Sequence, residues 1–247
     1  MNRSAALTAS LLEAYGTCPM KYRLYRVGHS TTGEARHVDA ARALHAAVKH
    51  ALDECYRMGG PAEFPLDRLR ERFIDAFDGT ACADSREEDE CRDAGTSIVE
   101  RYHAARIEDL PLVAEVDVPI RGEIGGWLFD AHANRREERT DDSIAFIILT
   151  TARRPPTEGP SQDDLRTGIL QLVAEDREHR PVEVELHALR SGRVYDATKP
   201  PRELEGIVDR VSALAQVINE TPSDAAVRGK HCRWCHARGV CPEWTDQ

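Results

Sequence analysis

The feature that most constrains this chain of 247 residues is a group of three cysteines close to its carboxyl end. Cys232, Cys235 and Cys241 are separated by two and then by five residues. A two-residue gap turns the backbone back on itself, so thiolates at this spacing can converge on one soft metal centre. Three ligands leave one coordination position open, and Cys18 near the amino end is the best candidate to fill it. A metal centre held by all four cysteines would join the two ends of the chain.

The spacing alone does not decide which metal these cysteines bind. Zinc sites made of four thiolates and iron–sulfur clusters both tolerate a two-residue gap between cysteines. A full disulfide framework is not expected, because the total of seven cysteines is odd and they are unevenly distributed. Cys82 and Cys91 lie too far apart in sequence for a tight metal motif and are expected to be ordinary thiols.

Composition and hydropathy predict a globular protein of the cytoplasm. Hydrophobic residues make up 41% of the chain, which is typical of a folded domain. No apolar run approaches the ~20 residues that a membrane span needs, and the first residues lack the apolar segment of a secretory signal. The net charge of −10 argues against a protein that coats nucleic acid through charge alone, but it is compatible with a local basic groove.

Hydrophobic periodicity predicts helices first, then strands, then a helix, a strand and a final helix. Helices are predicted at 8–27 (with a break at Pro19), 38–57, 66–77, 94–108, 163–178 and 201–219. Strands are predicted at 112–120, 127–134, 144–149 and 182–190. The polar segment 79–93 is predicted to be a loop or a helix end, and the charged segment 135–142 to be a turn. A mixed sheet flanked by helices is the economical packing for this α/β order.

With these elements in place, the chain resembles the iron–sulfur-containing RecB-like nucleases of the PD-(D/E)XK superfamily. That group includes the CRISPR-associated RecB-like exonucleases and the nuclease domain of AddB. The motifs that carry the resemblance are Tyr15-x-x-Cys18-Pro19-x-Lys21-Tyr22 and Cys232-x-x-Cys235-x5-Cys241-Pro242. The resemblance implies a restriction-endonuclease-like fold and a 4Fe-4S cluster on the four cysteines. It also implies one domain over 1–247, with a helical part at 37–110, a sheet core at 112–198 and a carboxyl-terminal helix and tail at 199–247.

The resemblance also places the catalytic positions of the family on this chain. The family's helical histidine corresponds to His45, and its first metal-binding aspartate falls on either Asp130 or His132. Its acidic-x-Lys pair falls on Ile148 and Thr150. Its Gln-x3-Tyr motif falls on Gln171, with Glu175 in the place of the tyrosine. Six positions are therefore predicted to be vestigial: His45, Asp130, His132, Ile148, Thr150 and Gln171.

The distribution of lysine shows that a shifted alignment cannot restore the missing pair. The chain has four lysines, and none of them follows an acidic residue by two positions: Lys21, Lys49, Lys199 and Lys230. Phosphodiester hydrolysis of this type needs carboxylates to hold Mg²⁺ or Mn²⁺, and a lysine that stabilises developing negative charge. Isoleucine and threonine supply neither group. The sequence therefore predicts an inactive nuclease site that holds no Mg²⁺ or Mn²⁺.

Three functions are compatible with these features. The first is an inactive iron–sulfur protein that acts, with a protein partner, as a DNA-binding or scaffold subunit in DNA repair, recombination or defence. Its predicted DNA contacts are basic: Arg153, Arg154, Lys230 and Arg233. The second is an active, metal-dependent exonuclease with a site rearranged around Asp130, His132 and Glu175. The third is a protein-interaction module in which the cluster responds to oxidants.

Overall fold

The computed structural model describes residues 6–26, 36–108, 112–152, 164–220, 224–235 and 237–244. Seven α-helices lie in these ranges: α1 Ala9–Thr17, α2 Pro19–Arg26, α3 Arg36–Arg57, α4 Leu66–Ala76, α5 Ser85–Arg106, α6 Leu165–Glu178 and α7 Pro201–Glu220. Short 3₁₀ turns occur at Gly79–Ala81, Lys230–Trp234 and Arg238–Val240. The order of the seven α-helices is the predicted one, including the break at Pro19. None of the helices described combines the length and apolar character needed to cross a membrane.

Helix α5 begins at Ser85, nine residues before its predicted start at 94, so most of the segment 79–93, predicted as a loop or a helix end, belongs to the helix. The reason is a strong amino-terminal cap. The Asp84 carboxylate accepts a hydrogen bond from the backbone N–H of Glu87 at 2.8 Å, and the Glu87 carboxylate accepts one from the N–H of Ala83 at 2.7 Å. Reciprocal capping of this kind satisfies N–H groups that a helix start leaves unpaired, and therefore stabilises a polar first turn.

Five strands form one mixed sheet in the order β1-β2-β3-β4-β5: β1 Leu112–Ile124, β2 Trp127–Glu138, β3 Ile144–Thr150, β4 Glu183–Ala188 and β5 Arg193–Asp196. Neighbouring strands are antiparallel except β3 and β4, which are parallel and are joined across α6. The predicted α/β class with a mixed sheet between helices is confirmed. Two details were wrong: β2 continues to Glu138 through the segment predicted as a turn, and β5 was not predicted.

The sheet separates two hydrophobic cores. On one face α1, α6 and α7 pack against Phe146 and Ile148 of β3. On the other face α3, α4 and α5 pack against Ala145, Ile147 and Leu149. Strand β3 is buried on both faces, as its unbroken apolar sequence predicted.

Strand β1 changes faces at Asp117. Val116 packs with the core under α3 and α5, whereas Val118, two residues on, packs with the core under α6. In a regular strand these two side chains would point the same way. The switch occurs because Asp117 has a φ of +60°, a left-handed conformation that few residues other than glycine adopt. This kink presents the Asp117 carboxylate to helix α3.

Candidate functional site

Four polar residues meet where α3 passes over β1 and β2, and we call them the α3–β1 cluster: Lys49, Asp53, Asp117 and His132. Lys49 Nζ donates to Asp53 Oδ2 at 2.6 Å and to Asp117 Oδ1 at 2.7 Å. His132 Nε2 lies 2.7 Å from the same Asp117 oxygen. His45 lies one helical turn before Lys49, so positions 45, 49 and 53 share one face of α3.

The charges in the α3–β1 cluster stabilise one another. Hydrogen bonds from Lys49 and His132 lower the pKa of Asp117 to about 2. Burial opposes the charged form of Lys49, but hydrogen bonds to Asp117 and Asp53 outweigh it and raise the Lys49 pKa. Burial, with the nearby charges of Arg166 and Lys49, lowers the pKa of His45. At neutral pH Asp117 is therefore ionised beside a charged Lys49, and His45, one turn away on α3, is neutral.

The sequence-predicted positions are only partly brought together. His132 joins the α3–β1 cluster, and His45 Nδ1 lies 3.3 Å from the Thr151 hydroxyl at the end of β3. Asp130 is near the β1–β2 turn, where the exposed Arg121 donates to both of its oxygens at 2.6 and 3.0 Å. Between the two alternatives for the aspartate position, His132 is the one beside α3.

The remaining predicted positions have structural roles in this fold. Ile148 is completely buried in the core under α6 and α7. Thr150 is half-buried at the end of β3, and its hydroxyl accepts from the N–H of Ala152 at 3.3 Å. The buried Gln171 amide donates to Glu175 at 2.9 Å and to the Lys199 carbonyl at 3.2 Å, and accepts from the Lys199 N–H at 2.7 Å. Gln171 therefore ties α6 to the segment that precedes α7.

Three important residues of this region were missed by sequence reasoning: Lys49, Asp117 and Asn134. The register that pairs Arg135 with Ile147 and Val118 with Ala133 puts Asp117, Asn134 and Ile148 in one row across β1, β2 and β3. Asn134 is buried, and its Oδ1 accepts from the Leu149 N–H at 2.8 Å. The row therefore contains one carboxylate, one amide and one hydrocarbon side chain. No sequence motif marked Asp117 or Asn134, since their alignment depends on the register between strands.

The four predicted metal ligands line one cavity, which we call the cysteine cavity. Its volume is about 250 Å³, and Cys18, Cys232, Cys235 and Cys241 all contribute to its wall. Cys18 has an extended backbone conformation at the break between α1 and α2. The backbone N–H of Val227 donates to the Cys18 sulfur at 3.4 Å, and a similar bond of 3.4 Å joins the Gly229 N–H to the Cys232 sulfur. The two ends of the chain therefore meet at this cavity.

No three histidine, cysteine or acidic side chains are arranged as a metal-binding group anywhere in the part of the chain that the structure describes. The α3–β1 cluster is therefore not such a group, and Asp117 is bonded there to Lys49 and His132. The described side chains of the cysteine cavity do not form one either, so the identity of any metal there stays a prediction. Arg153 and Arg154, two of the predicted DNA contacts, lie outside the described residues.

A second polar group, which we call the Arg135 cluster, is buried between α5 and the sheet. The Arg135 side chain is completely buried, and its Nε donates to Glu137 at 3.0 Å and its Nη2 to the Tyr102 hydroxyl at 2.5 Å. The guanidinium also lies 4.1 Å from the centre of the Tyr56 ring. Arg135 was predicted to begin a charged turn. Its burial explains why β2 instead continues through this segment.

Glutamate 185, beside the Arg135 cluster, is expected to contribute to stability in a pH-dependent way. Burial alone would raise the pKa of Glu185, but hydrogen bonds from His187 and Arg139 outweigh it and lower the pKa from 4.5 to about 2. A carboxyl whose pKa is lowered by folding stabilises the protein above pH 4.5, and this contribution disappears as the pH falls towards 2. Glu185→Gln should therefore lose on the order of 3 kcal/mol of unfolding free energy at neutral pH.

Urea denaturation of both proteins at several pH values between about 7 and 3 measures this effect. The difference in unfolding free energy between wild type and Glu185→Gln should shrink as the pH decreases. Glu205→Gln is the matched control, because Glu205 is exposed on α7. A difference for Glu185→Gln that stayed constant over this range would contradict the pKa argument.

The five-stranded mixed sheet, its crossover helix α6 and the polar row beside α3 are those of an α/β fold of the restriction-endonuclease type. The family model of the PD-(D/E)XK nuclease superfamily matches residues 6–242, and the chain belongs to this superfamily. The superfamily predicted from the cysteine motifs is thus confirmed. The RecB-like subgroup and the iron–sulfur cluster stay predictions.

Solved structures similar to this chain support the same fold. A candidate exonuclease from Eubacterium rectale superposes with a TM-score of 0.54 at 11% identity, over 88% of this chain and 82% of that one. At this identity the similarity shows the fold alone. The protein SSO0001 is also 11% identical, over 92% of this chain and 96% of its own, but its TM-score of 0.39 is too low to support an argument. A comparison with curated proteins found no significant match.

Proposed function

We propose that this protein is a catalytically inactive member of the PD-(D/E)XK superfamily that binds DNA as a subunit of a cytoplasmic DNA-processing complex. The observation that carries the proposal is the row of Asp117, Asn134 and Ile148 across the first three strands. Hydrolysis of a phosphodiester by this kind of fold needs several oxygen ligands around a hard divalent cation. The row offers one carboxylate, and Lys49 already occupies the space beside it.

The four cysteines are a donor set suited to a soft centre, because thiolates select zinc or iron–sulfur clusters over magnesium or manganese. Cys18, Cys232, Cys235 and Cys241 would hold a 4Fe-4S cluster at the cysteine cavity, and zinc is the alternative. The N–H groups directed at two of the sulfurs suit thiolates, which accept such hydrogen bonds in cluster sites. When bound, the cluster supplies a covalent link between the two ends of the chain.

Basic side chains around the cysteine cavity support DNA binding. Arg228, Lys230 and Arg233 are exposed on the tail that carries three of the cysteines. Arg238 stacks on the Trp244 ring, with its guanidinium 4.8 Å from the ring centre. Arginine and lysine bind phosphates without a catalytic metal, and such contacts depend strongly on salt. DNA bound in this way would be held rather than cut.

A second candidate function is hydrolysis by a rearranged site. The observation in its favour is that Lys49, on α3, places a positive charge beside Asp117. Strand β3 has no lysine that could supply this charge. In this alternative Asp117 and His132 would bind the metal and Lys49 would stabilise the charge that develops on the phosphate. The residues of this site differ from those predicted from the sequence, which were Asp130, His132 and Glu175, and only His132 is common to both.

Both candidates are tested by assaying one preparation for DNA binding and cleavage, using end-labelled single- and double-stranded DNA with Mg²⁺ or Mn²⁺. We expect binding that weakens as salt increases, no cleavage, and the same results for Asp117→Asn. Joint substitution of Lys230 and Arg233 by glutamine should weaken binding, whereas Arg86→Gln, an exposed position on α5, should not.

Metal-dependent cleavage that disappears in Asp117→Asn and Lys49→Met would overturn the inactive assignment in favour of the rearranged site. Absence of DNA binding at low salt in a folded, metal-loaded protein would refute the DNA-binding role. In that case a scaffold or oxidant-responsive role would be tested next by isolating protein partners.

A further inference from the structure

A cavity of about 640 Å³ lies between helix α5 and strands β2, β4 and β5. It shares no residue with the α3–β1 cluster or with the cysteine cavity. Cavities of roughly 300 to 1,000 Å³ are the size that proteins use for small organic ligands. We call it the arginine cavity, because four arginines line it: Arg101, Arg106, Arg139 and Arg193.

The wall of the arginine cavity carries excess positive charge, although the chain as a whole has a net charge of −10. Its two carboxylates already have cationic partners. Glu137 accepts from the buried Arg135 at 3.0 Å, and Glu185 accepts from Arg139 at 2.5 Å. Arg193 is exposed and forms no ion pair with any residue that the structure describes. Arg101 donates to two neutral oxygens, those of the Arg190 carbonyl and the Ser97 hydroxyl. The positive charges of Arg193 and Arg101 can therefore attract an anion.

The floor of the cavity is a buried polar surface rather than a chance opening. His187 and Glu137 are 2% and 1% exposed. The His187 ring lies against Tyr102 with their centres 6.4 Å apart, and Arg106 Nη2 lies 3.1 Å from His187 Nε2. Polar groups that line a cavity of this size from buried positions are typical of ligand sites, where a few fixed polar groups orient the ligand.

We propose that the arginine cavity binds a small phosphorylated molecule of about nucleotide size. Guanidinium groups can donate two parallel hydrogen bonds to a phosphate, and more than one of them can balance its two negative charges. Arg101 and Arg193 contact the phosphate. The less polar part of the ligand lies against Tyr102 and Val194, which also line the cavity. This site does not depend on whether the protein binds or cuts DNA.

Isothermal titration calorimetry tests the proposal with the full-length, metal-loaded protein. The probes are the four ribonucleoside monophosphates and a sugar phosphate, with adenosine and inorganic phosphate as comparisons. We expect at least one phosphorylated probe to bind, adenosine not to bind, and inorganic phosphate to bind more weakly than that probe. Arg101→Gln and Arg193→Gln should each weaken binding by roughly tenfold or more, the effect of removing a charge-assisted hydrogen bond.

Arg86→Gln is the matched control, because Arg86 is an exposed arginine on the same helix but outside this cavity, and it should leave binding unchanged. Circular dichroism of each variant establishes that it is folded. The proposal is overturned if no phosphorylated probe binds the wild-type protein, or if both cavity variants bind as tightly as wild type. Equal affinity for inorganic phosphate and the nucleotides would remove the assignment of nucleotide size.

Discussion

Replacing Cys235 by serine is expected to abolish metal loading and to lower the melting temperature sharply. The proposed cluster joins Cys18 to three cysteines of the tail across nearly the whole chain. Cross-linking a loop of about 200 residues restricts the unfolded chain by roughly 5 kcal/mol in the loop-entropy model. The free energy of metal binding adds to this, because a preformed site does not exist in the unfolded chain. The variant should therefore express poorly or unfold at a much lower temperature than wild type.

The measurement is anaerobic purification of wild type and Cys235→Ser, with the visible absorption spectrum, iron, sulfide and zinc contents, and melting temperature of each. Wild type should be brown, with about four irons and four sulfides per chain. Cys82→Ser is the control, since Cys82 lies outside the cysteine cavity. One zinc per chain in a colourless wild type would keep the link between the ends but refute the cluster. An unchanged melting temperature in Cys235→Ser would refute the link itself.

Replacing Arg135 by methionine is expected to cost roughly 3 to 5 kcal/mol of unfolding free energy. This is about a third of the total unfolding free energy of a typical domain. The substitution leaves Glu137, which is 1% exposed, as a buried carboxylate without its cation. It also removes the hydrogen bond to Tyr102 and the contact with the Tyr56 ring. Urea denaturation followed by circular dichroism measures the change.

Two further variants test whether the loss comes from the unpaired charge. Adding Glu137→Gln to Arg135→Met should recover part of the lost free energy, because the double variant buries no net charge. Arg121→Met removes an ion pair with Asp130 whose side chains are 62% and 40% exposed, and it should cost no more than about 1 kcal/mol. An Arg135→Met variant no less stable than Arg121→Met would refute the role assigned to the buried pair.

Periodicity predicted most of the elements because each helix buries one stripe and β3 is apolar throughout. It failed in two charged segments. The polar first turn of α5 is helical because Asp84 and Glu87 cap it, and the charged end of β2 is a strand because Arg135 is buried against Tyr56 and Tyr102. Strand β5 was missed because it is four residues long and mostly exposed at the edge of the sheet.

The superfamily was predictable from the cysteine motifs. The absence of an acidic-x-Lys pair is evident from the sequence, because none of the four lysines follows an acidic residue by two positions. The sequence by itself therefore determined the class of fold and the absence of an acidic-x-Lys pair. Tertiary structure alone decided that Asp117 faces Lys49 and His132, and that Asn134 stands beside Ile148. These contacts depend on a left-handed residue in β1 and on strand register. Such features arise from packing between distant segments, so no local pattern of residue types records them.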